Sequence, residues 1–289
     1  METTRIGAPS FHARAESWEC DFNDHWSTRF HVRAFQLAAE SVFAGPDGIS
    51  PGGWRVRARH MRFHREVFAS QAVTVRGARV RGGAMDGAIA HLLFREGELS
   101  ATAINTGIDA DPGTSAADLP DVAADAIPMA MPRGLAAHDG PAWPSFTRTD
   151  GTVMLGPVRS SELDHTGALT AEEITRRFAI ASHDLLNSRG VTPGYSKRSR
   201  VNRMAVEFRV TLGTMPPVGT VLYGESRVLG VGGRTFTIAH RIVTRSGETV
   251  ASNEQCLVAV NLDTRRAVEV PDFLREALSQ ELSERNQKR

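Results

Sequence analysis

Twice along this chain, apolar residues at helical spacing give way to a series of runs with the alternation expected of strands. In the first half Val32, Phe35, Ala39 and Val42 mark one face of a helix expected from about Ser27 to Phe43. Ala34, Ala38 and Ser41 add a small-residue stripe suited to close packing. Gly45-Pro46-Asp47-Gly48 and Pro51-Gly52-Gly53 break the pattern. Strands are then expected over Trp54 to Phe63, Ala72 to Val80, Ala88 to Phe94 and Leu99 to Ile108, with turns at Gly82-Gly83 and Glu96-Gly97. A short strand from Ala13 to Cys20 is expected ahead of the helix.

The second half repeats the order. Thr170 and Glu173 form an S/T-x-x-E capping box that starts a helix running to about residue 187, with Ile174, Phe178, Ala181 and Leu185 on its buried face. Strands follow over Met204 to Leu212, Thr220 to Leu229, Thr235 to Thr244 and Thr249 to Val260. Asp109 to Gly151, rich in Ala, Asp, Pro and Gly, reads as a long surface connector, and Glu269 to Arg289 as a terminal helix.

The repetition reaches individual residues. Asp21, Phe35 and Ala38 recur as Asp164, Phe178 and Ala181 at a constant offset of 143. Ile89-Ala90-His91 recurs as Ile238-Ala239-His240 at an offset of 149. An internal duplication makes each half a fold of its own, one helix laid on an antiparallel sheet, and the class is α+β. The expected domains are 1–150, including the connector, and 151–289.

Composition narrows the classes of function. Of the 289 residues, 41% are hydrophobic and 23% charged, as in an ordinary globular protein. No apolar run approaches the ~18–20 residues that span a bilayer, and the first ten residues have no signal-peptide core. Cys20 and Cys256, one in each half, argue against a disulfide framework and for a cytoplasmic protein. A net charge of +1 gives no drive toward nucleic acid or membrane. Lys197 and Lys288 are the only lysines among many arginines, which suits phosphate binding or reflects genomic bias.

Candidate chemistry gathers at the turn into each helix. Asp21, Asn23 and His25 put acid, amide and imidazole where the first backbone N–H groups of a helix are unpaired, a place suited to a developing oxyanion. The carboxylate can activate water or attack a carbonyl, with Asn23 orienting and His25 sharing the proton. The plainer reading is a helix cap, since Asp, Asn and Ser favour such turns. Cys20 is either a thiol beside Asp21 or a small buried strand residue. His31, His60, His64, His91 and His240 lack metal-ligand spacing; His91 and His240, equivalent by repeat, suggest a shared structural role. No phosphate loop or nucleophile elbow is present, and no cofactor is expected.

Asp21-Phe22-Asn23-Asp24-His25 resembles the D-x-[DN]-x-H motif of the hotdog acyl thioesterases, and its tandem setting is similar to plant acyl-ACP thioesterases. Asp164-His165-Thr166-Gly167 resembles the D-x-x-G of the 4-hydroxybenzoyl-CoA thioesterase group. The resemblance implies two tandem hotdog domains, each a sheet wrapped around a helix, forming a pseudo-dimer. It also implies hydrolysis of an acyl-CoA or acyl-ACP thioester in fatty acid metabolism, with room for a homodimer of such chains. Asp21, Asn23, His25 and Asp164 are then the catalytic candidates. Trp26, Ser27, Gly167 and Thr170 become substrate-binding candidates beside them.

Departures qualify the picture. Trp26 and Ser27-Thr28 replace the family's Val-Asn-Asn, and Asp24 stands where many relatives have Gly. Thr166 and Ala168 replace Asn and His in the second copy, so hydrolysis is expected to depend more on Asp21 than on Asp164. Trp26 is expected near the mouth of the acyl site. Lys197, Arg198, Arg200 and Arg203 are expected to form a basic loop that grips carrier phosphates, with Arg55, Arg57 and Arg59 as a basic strand face in the first half. A hotdog hydratase is disfavoured because its histidine follows Asp by five positions and not four, a rotation of about 100° on a helix. A catalytically idle acyl-CoA-binding or lipid-binding module is the alternative from another class.

Overall fold

The computed structural model describes residues 6–21, 23–44, 56–107, 119–135, 143, 145–147 and 152–287. The glycine-rich breakers at 45–48 and 51–53, Trp54, Arg55, Ile108 and most of the connector lie outside the described residues. The chain divides into two compact units, Met1–Arg133 with Arg159–Arg176, and Gly134–Val158 with Arg177–Arg289.

In the first unit β1 (Ala8–Arg14) precedes α1 (Thr28–Phe43), and β2 (Ala58–Phe63), β3 (Ala72–Arg81), β4 (Ile89–Arg95) and β5 (Glu98–Thr106) follow. The antiparallel order is β1-β3-β4-β5-β2. Glu96 and Gly97 both have positive φ, 47° and 85°, which gives the two-residue β4–β5 turn the twist that a hairpin needs. α1 packs across β1, β3 and β4. Phe35 is fully buried there, and burial of a side chain of this size contributes about 1.5–3 kcal/mol. Asp121–Ala123 (β6) joins the sheet parallel to the end of β3, and the sheet's other side is covered by Ile127 and Ala130 packed on Ala78, Leu92 and Ile104. That part of the connector is core, because its apolar residues cover a face of β4 that would otherwise meet water.

In the second unit β7 (Val153–Pro157) is followed by α2 (Ala171–Asn187), whose first turn and a half belongs to the first unit. Then come α3 (Pro193–Ser199), β8 (Val201–Leu212), β9 (Val221–Val231), β10 (Thr235–Thr244), β11 (Thr249–Asn261) and α4 (Asp272–Gln287). Read from β7, the order is β7-β9-β10-β11-β8, the same as in the first unit. Phe178, Ala181 and Leu185 are buried as the spacing predicts. Leu274 and Leu278 of α4 join Val228, Phe236 and Ile238 in the core. No helix among the described residues is long and apolar enough to cross a membrane.

Two further expectations need correction. The strand expected at Ala13 to Cys20 is instead β1, ending at Arg14, followed by a 3-10 turn at Ser17–Glu19 that leaves Trp18 75% exposed. The expected basic loop is helix and strand, because Thr192 caps α3 by accepting the Tyr195 N–H at 3.1 Å and Pro193 opens its first turn.

Candidate active site

Both turns into a helix are built alike. Asp21 Oδ1 accepts the backbone N–H groups of Asn23 at 2.8 Å and His25 at 3.2 Å, and the Asp21 N–H donates to His25 O at 2.8 Å. Asp164 Oδ1 accepts from Thr166 N at 2.8 Å, Thr166 Oγ1 at 2.6 Å and Ala168 N at 3.1 Å, and its N–H donates to Ala168 O at 2.8 Å. Asp24 and Gly167 hold the matching left-handed position, with φ of 62° and 80°. Glycine adopts that region without strain, whereas Asp24 does so at a cost.

A pair of residues outside the motif braces each turn. Glu19 accepts from Arg33 and from Trp26 Nε1 at 2.7 Å, and its carbonyl accepts the Ser27 N–H at 3.0 Å. Glu162 takes Arg176 at 3.2 Å, and its carbonyl accepts the Thr170 N–H at 3.0 Å. Both pairs repeat at the offset of 143, a signal available in the sequence. Trp26, expected near a substrate mouth, is 2% exposed and packs on His31 at 4.6 Å. Its indole is held inward by Glu19.

The turns differ in what surrounds them. Asp21 is exposed. His25 is buried, with Nε2 3.3 Å from Glu66 and its ring edge-on to Phe68. Burial and the negative charges of Asp21, Asp24 and Glu19 push the Cys20 thiol up, which opposes a reactive thiolate. Asp164 instead lines a cavity of about 510 Å³. Its walls on the α1 side are Arg33, Gln36, Leu37 and Glu40, and on the α2 side His165, Thr170 and Glu172.

Gln36 ties the two sides together: Oε1 accepts the Ala171 N–H at 2.7 Å, and Nε2 donates to Glu40 at 2.8 Å. Burial raises the Glu40 pKa, partly offset by the Gln36 hydrogen bond. Burial also raises Glu172, against the opposing charges of Arg33 and Arg29. Thr170 Oγ1 accepts the Glu173 N–H at 3.3 Å, whereas Ser27 makes no side-chain cap.

The basic candidates scatter. Lys197 and Arg198 are exposed on α3, Arg200 is paired with Asp263 at 2.8 Å, and Arg203 turns inward to His183 at 3.2 Å. Arg57 is exposed, and Arg59, expected on a basic strand face, is buried against Asn105.

One helix on a sheet of order 1-3-4-5-2, built twice with an Asp turn before each helix, defines a tandem hotdog protein. The chain resembles the acyl-ACP thioesterases, and residues 158–278 match the thioesterase-like superfamily. A Lactobacillus plantarum protein named as a candidate oleoyl thioesterase shares the fold with a TM-score of 0.58 at 14% identity, over 89% of this chain and 98% of that one. An acyl-ACP thioesterase of Bacteroides thetaiotaomicron does so with a TM-score of 0.55 at 11% identity, over 86% and 96%. At these identities the likeness is one of fold. No curated protein matches the chain.

Proposed function

We propose that this protein hydrolyses the thioester of an acyl-CoA or acyl-ACP, and that the Asp164 cavity is its principal site. The observation that carries the reading is a carboxylate fixed by three donors at the start of a helix, facing a cavity that also holds Glu40. Water attacks the thioester carbonyl while Asp164 takes its proton. The positive end of the α2 dipole favours the oxyanion, and the C–S bond breaks. Glu40, with its raised pKa, holds a proton more readily than a surface carboxylate and passes it to the departing thiolate. The superfamily match over residues 158–278, which contain Asp164, supports the assignment.

The Asp21 turn is proposed as a second site, with Asn23 orienting water and His25 sharing the proton. Lys197 and Arg198, exposed on α3, are proposed to meet carrier phosphates. A non-catalytic acyl-binding role draws support from the use of each Asp Oδ1 to close its own turn. Free-thiol release from acyl-CoA and acyl-ACP, by the wild type, Asp164→Asn and Asp21→Asn, separates the readings. Hydrolysis lost with Asp164→Asn supports the principal site, and an absence of turnover by the wild type leaves the binding role.

A further inference from the structure

The interior of the first unit holds a cation with no ion pair among the described residues. Arg59 on β2 is 6% exposed, and among the described residues it hydrogen-bonds only through Nε, to Asn105 Oδ1 at 2.8 Å. No carboxylate among them lies within ion-pairing distance of it. A buried guanidinium of this kind is costly unless its remaining N–H groups are met. Its neighbours repeat the problem. Asn105 Nδ2 and both ring nitrogens of His91 are fully buried without partners. Apart from one imidazole nitrogen, these unmet groups are donors, so the set calls for an acceptor-rich group.

The equivalent sheet positions of the second unit are occupied differently. Arg59 pairs with Asn105 across β2 and β5, and the matching pair across β8 and β11 is Phe208 with Gln255. His240, the counterpart of His91, is hydrogen-bonded to Ser226 through Nδ1, while its Nε2 and the side chain of Asn253 opposite it are buried without partners. A cation at this sheet position therefore belongs to the first half alone. Glu40, a wall of the Asp164 cavity, is the carboxylate whose charge reaches Arg59.

We propose that Arg59, with Asn105 and His91, is a receptor for a carboxylate at the far end of the acyl group, so that the preferred substrates are half-thioesters of dicarboxylic acids. The substrate class rests on the thioesterase reading above, whereas the receptor stands on the buried donors themselves. Two measurements keep the failures distinct.

The first is binding without turnover, read as the thermal unfolding of the full chain in a series of free aliphatic dicarboxylates and the matching monocarboxylates. A ligand that binds only the folded state raises Tm with concentration. A rise with dicarboxylates alone is expected for the wild type, and its loss in Arg59→Met. Should Arg59→Met fail to fold, Asn105→Asp supplies an internal carboxylate for Arg59. That variant is expected to fold with a higher Tm and to lose the response. The second is thiol release from a dicarboxylic half-thioester of CoA against the alkanoyl-CoA of equal length. A preference on the order of 10–100-fold in kcat/KM is expected, the size of a charge-assisted contact.

No dicarboxylate-specific shift in Tm, as for a bound water alone, overturns the receptor. A shift with no turnover of any thioester retains the receptor and overturns the enzyme. Equal turnover of both thioesters overturns the substrate class while leaving hydrolysis intact.

Discussion

His240 shares a hydrogen bond of 2.6 Å with Ser226 on the neighbouring strand, whereas its counterpart His91 faces Gly77 and has no such partner. Each imidazole lies beside the equivalent phenylalanine of its helix, Phe178 and Phe35. A Cβ built at Gly77 would stand 3.8 Å from His91 Nδ1 and no closer than 3.4 Å to any neighbour. Gly77→Ser is therefore expected to raise stability by about 1 kcal/mol, through the new hydrogen bond and a stiffer unfolded chain. Ser226→Gly is expected to cost about 1–3 kcal/mol. Urea unfolding midpoints of the two variants check both signs.

Stability should fall early in acid. Burial holds the pKa of His31 near 4 and those of His91 and His240 near 3, against an ordinary value of 6.5. Between those values the unfolded chain binds protons that the folded chain refuses, so stability rises with pH across the window. The contribution is complete above about 6.5 and is lost progressively toward 4 and below. Glu40 acts in the opposite sense above its ordinary value of 4.5. Unfolding free energy measured from pH 7 to 4 should decline, and His240→Phe should flatten part of the slope. A profile unchanged by that substitution would contradict the assignment.

The duplication and both helices were legible because Phe35 and Phe178 sit on apolar stripes at a fixed offset. Thr170 announced α2, and its hydroxyl does cap the helix. Gln36 and Glu40 were not legible: on α1 alone they read as an ordinary i,i+4 polar pair. Their meaning comes from the Asp164 turn, more than 120 residues away in sequence, which no local period reports. The Glu19–Arg33 brace was not legible in one copy, because one acid and one base outside a motif carry no pattern, although Glu162 and Arg176 repeat them. Thr192-Pro193 was a helix start hidden by the positive charges after it. Arg59 sits on a strand with other arginines, and alternation could not tell an inward cation from an outward one.

Gln36→Leu separates the clamp from general packing. The Gln36 hydrogen bond lowers the Glu40 pKa, so its loss should raise that pKa further. With Glu40 as the proton donor, the alkaline limb of the kcat/KM profile should move to higher pH. Loss of the contact to the Ala171 N–H should cost about 1–3 kcal/mol of stability in addition. A destabilised variant with an unmoved limb would make Gln36 a packing residue only.

Thioester hydrolysis at the Asp164 cavity is most directly tested by the rate of free-thiol release from a panel of acyl-CoA and acyl-ACP thioesters, comparing the wild type with Asp164→Asn. The substitution keeps the shape and the Oδ1 acceptor that closes the turn, and it removes only the base. The account predicts turnover by the wild type and a fall in kcat of about 10²–10⁴ in the variant, with folding retained. Full turnover by Asp164→Asn, with loss in Asp21→Asn instead, would contradict it and move the chemistry to the first turn.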